Sequence, residues 1–270
     1  MRVFIRCLYK DRLEFIRTRR SGIAFAILLS IALAFLGASY ALPKFFENIA
    51  DERLPAFFDN YSLGTLIENS FPQELSKNLG VFSSDIYIFY SVFVLFSTSA
   101  LIPSEIHAGK WILPLQSGIS RRQLMLSKVL MYAAGFSVPC FAIYNLYYVI
   151  GSMFLIPDFP YIPALVCAFI LAFGVFALTC ISFFCSLLIK QNIINFISIF
   201  SCMVLLPDLL YSLHIGHFFP TYILTFLYNS STAYNELVIP VTEILFLMIL
   251  LYFCSIKALS TADFSAREHQ

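Results

Sequence analysis

Charge is scarce in this 270-residue chain: Asp, Glu, Lys and Arg make up 12% of it, against 60% hydrophobic residues and a mean hydropathy of +0.82. A water-soluble domain of this size covers its exterior with far more charge, so that class is excluded and a lipid-facing surface is required. Paired cysteines are also missing. The seven present (7, 140, 167, 180, 185, 202 and 254) stand singly, without the CxxC spacing of a zinc or redox site, which argues against a disulfide framework. There is no G-x-S-x-G turn of a serine hydrolase. There is no phosphate-cradling G-x-x-x-x-G-K-[ST] either: the only Gly-Lys pair, Gly109-Lys110, has Ser104 where the first glycine belongs and Trp111 after it. The N-terminus lacks a secretory signal's short apolar core, since seven Arg and Lys fall in the first 20 residues, and the first apolar run reads as a retained span.

Long apolar runs dominate what is present. A helix needs about 20 apolar residues to cross roughly 30 Å of hydrocarbon. Six segments qualify or nearly so: 22–42, 86–103, 129–156, 163–189, 192–212 and 237–256. They are continuously hydrophobic rather than alternating, which excludes the strands of a membrane barrel. The expected fold is an all-α membrane protein, a single transmembrane domain of six helices over 1–270.

Cations collect at cytoplasmic helix ends. If the six helices alternate in direction, Arg2, Arg6, Lys10, Arg12, Arg17, Arg19, Arg20, Lys110, Arg121, Arg122, Lys128, Lys190, Lys257 and Arg267 all fall on one side. The other side holds Lys44, Arg53 and Lys77 among seven acids of the 43–85 segment. Both termini are then cytoplasmic. Residues 43–85 become an acidic external loop, either a plain connection or one folded against the membrane through "LPAFF" and "LGTLI". Residues 213–236 are too short to cross twice and read as an external re-entrant or interfacial segment.

The first 20 residues read as an amphipathic interfacial helix. Ile5, Leu8, Tyr9, Leu13 and Ile16 share one side and Arg6, Lys10, Glu14 and Arg17 the other. Such a helix lies in the headgroup plane beside anionic lipid, then turns at "RRSG" into the first span.

One segment between spans two and three is polar and basic: "SEIHAGKWILPLQSGISRRQLMLSK", residues 104–128. Its Glu105, Gly109, Leu115, Ser120, Arg121 and Lys128 resemble the cytoplasmic loop of type-2 ABC transporter permeases, and the interfacial helix followed by six spans is similar to that family over the whole length. It departs from the family pattern at Lys110-Trp111, where a hydroxyl residue and an acid are common, and at Gly118, where Pro is common. The resemblance implies a permease without enzymatic activity or cofactor of its own. ATP and Mg would be used by two copies of a separate ATPase subunit, and a second permease protomer, identical or not, would complete a transporter in the bacterial cytoplasmic membrane.

A helix that plugs into a partner's groove needs polar surface flanked by apolar anchors. Trp111, Ile112 and Leu113 supply anchors and Glu105, His107 and Lys110 the polar part, with Gly109 and Arg121 completing the expected coupling set; a merely solvated basic loop is the plainer alternative. Thirty Phe and fifteen Tyr suit packing and lipid contact. If spans two and five of two protomers face each other, Tyr87, Phe89, Tyr90, Phe93, Asn195, Phe196 and Phe200 would line a path for a hydrophobic or amphiphilic cargo such as a peptide, lipid-like molecule or drug. No nucleic-acid partner is expected. Asp208 and Glu243 lie in or near apolar spans, where an ion costs about 2.5 to 3.5 kcal/mol. They read either as an ion-coupling site of a gradient-driven transporter or as interfacial groups. His214 and His217 are too loosely spaced for a metal site without a fourth ligand.

Overall fold

The computed structural model describes residues 2–53, 72–189, 191–205 and 238–261. Among these residues the structure is helical, with one isolated bridge between Glu74 and Ile156 in place of any sheet. The helices are α1 (Arg2–Arg17), α2 (Arg20–Arg53), α3 (Leu75–Ser99), α4 (Leu101–His107), α5 (Ile112–Gln116), α6 (Arg121–Phe154), α7 (Tyr161–Leu188), α8 (Asn192–Phe200) and α9 (Val238–Thr261). Five of the described stretches are long and apolar enough to cross a membrane: Arg20–Leu42, Leu75–His107, Arg121–Phe154, Tyr161–Leu188 and Val238–Leu259. The expected span at 192–212 is seen as the short apolar stretch Asn192–Val204, ending in a π-helical turn at Ser201–Leu205. Its remainder lies outside the described residues, as do 213–236, Lys190, Asp208, His214 and His217.

Hydropathy finds the spans but misplaces their ends. The first membrane-length stretch ends at Leu42 as expected, with α2 running on as helix to Arg53; the expected start of the second span at 86 needs correcting, because α3 begins at Leu75. Helix persistence depends on backbone bonding, whereas an apolar window registers only where lipid is touched. Residues 75–86 contain Lys77, Asn78 and Asp85, yet Leu75, Leu79, Phe82 and Ile86 recur at helical spacing and are buried. Phe82 stacks on Tyr147 of α6, ring centroids 3.7 Å apart and 8° from parallel. Likewise α6 begins eight residues before the expected 129, at Arg121.

The central helix α7 packs against α3, α4, α6, α8 and α9, and α6 carries α1 and α2 on its other flank. Small residues permit this. At Gly135 of α6 an added Cβ would lie 2.5 Å from the Phe15 ring of α1, and at Gly151 one would lie 3.1 Å from Leu75. Phe15 sits edge-on to Tyr132 and Phe136 at 4.9 and 5.3 Å, an arrangement that favours the opposed ring quadrupoles.

Between α1 and α2 the chain turns at Thr18–Arg19, where Arg19 takes φ 56° and its amide donates to the Ile16 carbonyl at 2.9 Å. Exposure divides α1 into three strips: Cys7, Asp11 and Phe15 are buried, Ile5, Tyr9, Leu13 and Ile16 are exposed, and Arg6, Lys10 and Arg17 run exposed between them. One expectation is corrected here. Glu14 does not join the outer cations but turns half-buried toward the bundle, because an acid beside Lys128 is better solvated there than on a lipid-facing strip.

Candidate functional site: a latched knob between α3 and α6

Residues 100–128 form a compact knob whose turns are set by two glycines and a serine. At the end of α4 the amide of Gly109 donates to the Ile106 carbonyl and that of Lys110 to the Glu105 carbonyl, both at 3.1 Å, with Gly109 at φ 67°. This crossed pair of bonds satisfies carbonyls that a helix end otherwise leaves open, and it needs a left-handed residue. The same pattern closes α5: Gly118 (φ 86°) donates to Leu115 at 3.1 Å and Ile119 to Pro114 at 3.2 Å. A proline, held near φ −65°, could not occupy position 118 in this turn. Ser120 then opens α6 with a capping box: its hydroxyl accepts from the Gln123 amide at 3.3 Å and its own amide donates to the Gln123 side chain at 3.4 Å.

The knob has an inner and an outer half. Inside, Glu105 is 4% exposed and both its oxygens are engaged, one by the Lys128 ammonium and the other by the Trp111 indole N–H at 3.1 Å. Lys128 also reaches Glu14 of α1 at 3.4 Å, and the Ser127 hydroxyl donates to Asp11 of α1 at 2.5 Å. Lys110 stands 3.9 Å from the other Glu14 oxygen. Glu14, Glu105, Lys110, Trp111 and Lys128 surround a crevice of about 30 Å³, room for a water molecule. Burial pushes the Asp11 carboxyl above its ordinary range, against the lowering pull of the Ser127 hydroxyl and the Lys128 charge.

The expected coupling residues are therefore divided. Glu105 and Trp111 are turned away from any partner, Trp111 being 4% exposed, so the expectation that both would present themselves at the surface is corrected. The reason is electrostatic: the Glu105–Lys128 pair is stable under low-dielectric cover only with every lone pair satisfied, and the Trp111 N–H completes the set. His107 and Lys110 remain on the outside with Ile112 (40% exposed) and Leu113 (77%). Arg121 donates to the Leu259 carbonyl of α9 at 2.6 Å, tying the base of the knob to the end of the last helix. Asp11, Glu14 and Ser127 were missed. The available signal was that Asp11 and Glu14 are the only acids in an otherwise basic helix and share a face at i, i+3.

The expected cargo path divides too. Tyr87, Tyr90 and Asn195 are buried within the chain's own core, the Tyr90 hydroxyl donating to the Phe136 carbonyl at 3.0 Å. Phe93, Phe196 and Phe200 are half-buried, the last two stacked at 5.9 Å, and Phe89 alone points outward at 61% exposure. The seven do not form one surface. Asn195 donates weakly to the Ser182 carbonyl at 3.5 Å and leaves its own oxygen buried without a partner among the described residues. Among the described residues no group of three or more His, Cys, Asp or Glu is placed to hold a metal ion.

Comparison with protein-family models, with curated proteins and with solved structures returns no match to this chain.

Proposed function

We propose that the chain is the permease subunit of a two-component membrane transporter of the type-2 ABC kind, driven by ATP hydrolysis in a separate subunit that docks on the outer half of the knob. The observation that carries this reading is the split of residues 104–128. A charged inner half is latched to α1 and α6, while an outer half offers His107, Lys110, Ile112 and Leu113 at the junction of two membrane-length helices. An exposed Leu beside polar groups is the composition of a helix that seats in a groove. The rigid turns at Gly109 and Gly118 suit a part that transmits force, and the latch passes a displacement of the knob to α1, α6 and, through Arg121, α9.

In this reading the knob end faces the cytoplasm with both termini, and a sixth span continues from α8 through the π turn. A second protomer, the same chain or a relative, covers the outward stripe of Phe89, Val92 and Phe96 on α3 and Ile193, Ile194 and Ile197 on α8. Cargo that moves along such a seam is apolar or amphiphilic.

Co-purification of the tagged chain from its native cell with a nucleotide-hydrolysing subunit is the test. The wild-type chain retains the ATPase, and Leu113→Asp releases it while leaving Trp111 emission unchanged. Absence of association in the wild type would overturn the reading. One observation favours a second reading: an oxygen of Glu243, in α9, is buried without a hydrogen-bond partner among the described residues. Transport that survives ATP depletion, collapses with the proton gradient and is lost in Glu243→Gln would establish an ion-driven carrier instead.

A further inference from the structure

The exposure pattern of α1 and the fate of its two acids together show more than an amphipathic helix. Asp11 is consumed by Ser127 and Glu14 by Lys128 and Lys110, all on the inner face. What remains on the outside is Ile5, Tyr9, Leu13 and Ile16 (55, 60, 49 and 51% exposed), bordered by Arg12 on one edge and by Arg6, Lys10 and Arg17 on the other, all exposed and with no acid among them. The helix cannot leave the bilayer edge, since only Thr18 and Arg19 separate it from the span Arg20–Leu42.

We propose that this outer face is a binding surface for anionic lipid headgroups. The apolar strip sits at the acyl boundary and the cations on its two edges hold phosphate-bearing, negatively charged lipid beside it. The charge balance selects the occupant. A neutral leaflet would solvate the apolar strip equally well but would leave Arg6, Arg12 and Arg17 without a compensating charge and Lys10 with only its share of Asp11, whereas an anionic leaflet attracts each of them. Asp11 and Glu14, the two groups that would repel it, are turned inward to Ser127 and to Lys128 and Lys110, away from the lipid-facing strip. Because the same helix holds Glu14 against Lys128, lipid charge is read one helix diameter from the knob. This inference requires only that the chain spans a bilayer and is independent of the ATPase-driven reading.

The test uses the full chain carrying Leu13→Trp, reconstituted in mixed phosphatidylcholine and phosphatidylglycerol vesicles in which one lipid or the other is brominated. Wild-type vesicles supply the background from Trp111, the only native tryptophan. Quenching of the introduced indole reports which lipid sits against the strip. At low salt brominated phosphatidylglycerol is expected to win with a relative binding constant of about five or more, the factor that one juxtamembrane cation supplies. The preference should fall toward unity in 1 M salt, where the screening length is about 3 Å. Arg6→Gln, Lys10→Gln, Arg12→Gln and Arg17→Gln combined should abolish it, while Arg6→Lys, Lys10→Arg, Arg12→Lys and Arg17→Lys combined, which keep the charge, should keep it. Equal quenching by the two lipids, a preference indifferent to salt, or one that survives the quadruple glutamine variant would overturn the proposal. Quenching by neither lipid would do so as well, and would assign the strip to a protein partner.

Discussion

The two ends of the helical bundle are closed by different chemistry. At the knob end the tie runs through full charges: Lys128 bridges Glu105 and Glu14, and Asp11 holds Ser127. At the opposite rim it runs through neutral groups. Asn78 donates to the Ser39 hydroxyl and the Pro72 carbonyl, both at 2.9 Å, and accepts from the Tyr147 hydroxyl, while Gln73 donates to the Ser39 carbonyl at 2.6 Å. A backbone bridge between Gln73, Leu75 and Ile156 completes that rim, with bonds of 3.0 and 3.1 Å. A neutral network is stabilising without regard to its surroundings, whereas a buried ion pair only offsets its own desolvation and fails badly when one partner is lost. The end proposed to meet a partner thus carries the more breakable tie, and the opposite rim carries the robust one.

Removing one charge should show this most clearly. Lys128→Met leaves Glu105 buried with an unpaired carboxylate and should cost about 3 to 5 kcal/mol. Thermal unfolding in detergent measures the loss, and red-shifted Trp111 emission shows the knob opening. Lys128→Met combined with Glu105→Gln should recover most of it, since both charges are then gone; a double variant as unstable as the single one would mean that the pair is not the tie. At the neutral rim Asn78→Ala removes the group that links the Ser39 hydroxyl, the Pro72 carbonyl and the Tyr147 hydroxyl and should cost less, about 2 to 3 kcal/mol. If the Asn78 variant proves the more damaging, the contrast between the ends is wrong. Gly135→Ala tests how firmly α1 is seated. Its methyl enters the space of the Phe15 ring, which Tyr132 and Phe136 hold in place, and overpacking of this kind costs about 1 to 3 kcal/mol. Phe15→Leu in the same chain should relieve part of it.

How far the sequence disclosed these ends differs by feature. The spans were legible because lipid contact demands apolar residues in bulk, and the knob was legible as a unit because charge and glycine interrupt that pattern. The orientation of its side chains was not. Glu105 and Lys110 are equally polar in one dimension, and only the arrival of α1 and α6 decides that the first is interior and the second exposed. Lys128 is 23 residues from Glu105 and 114 from Glu14, separations at which no local periodicity speaks. The same holds for the cargo residues: Tyr87 and Phe89 are two apart and point oppositely, which a helix requires but an aromatic count cannot show.

The smallest expected effect separates two aspartates, one at each end. Burial raises the Asp11 carboxyl above its ordinary 3.8, so its ionisation costs stability: the penalty is absent below 3.8, sets in as pH rises from there, and is complete above the raised folded value. Asp158 behaves oppositely. Burial would raise it, but the Ser76 hydroxyl and the Ser76 amide at 2.9 Å, at the start of α3, outweigh that and hold it below 3.8. Its contribution is present above 3.8 and lost as pH falls through the lowered folded value. At neutral pH Asp11→Asn should therefore be neutral to slightly stabilising, because an amide oxygen still accepts from Ser127 without the cost of a buried charge. Asp158→Asn should be slightly destabilising, by a few tenths of a kcal/mol for so exposed a group. Melting temperatures of both variants from about pH 2 to 7 measure this: the Asp11 difference should grow as pH rises above 3.8, while the Asp158 difference should hold above 3.8 and shrink below it. Curves that move together would show that the two ends share one electrostatic environment.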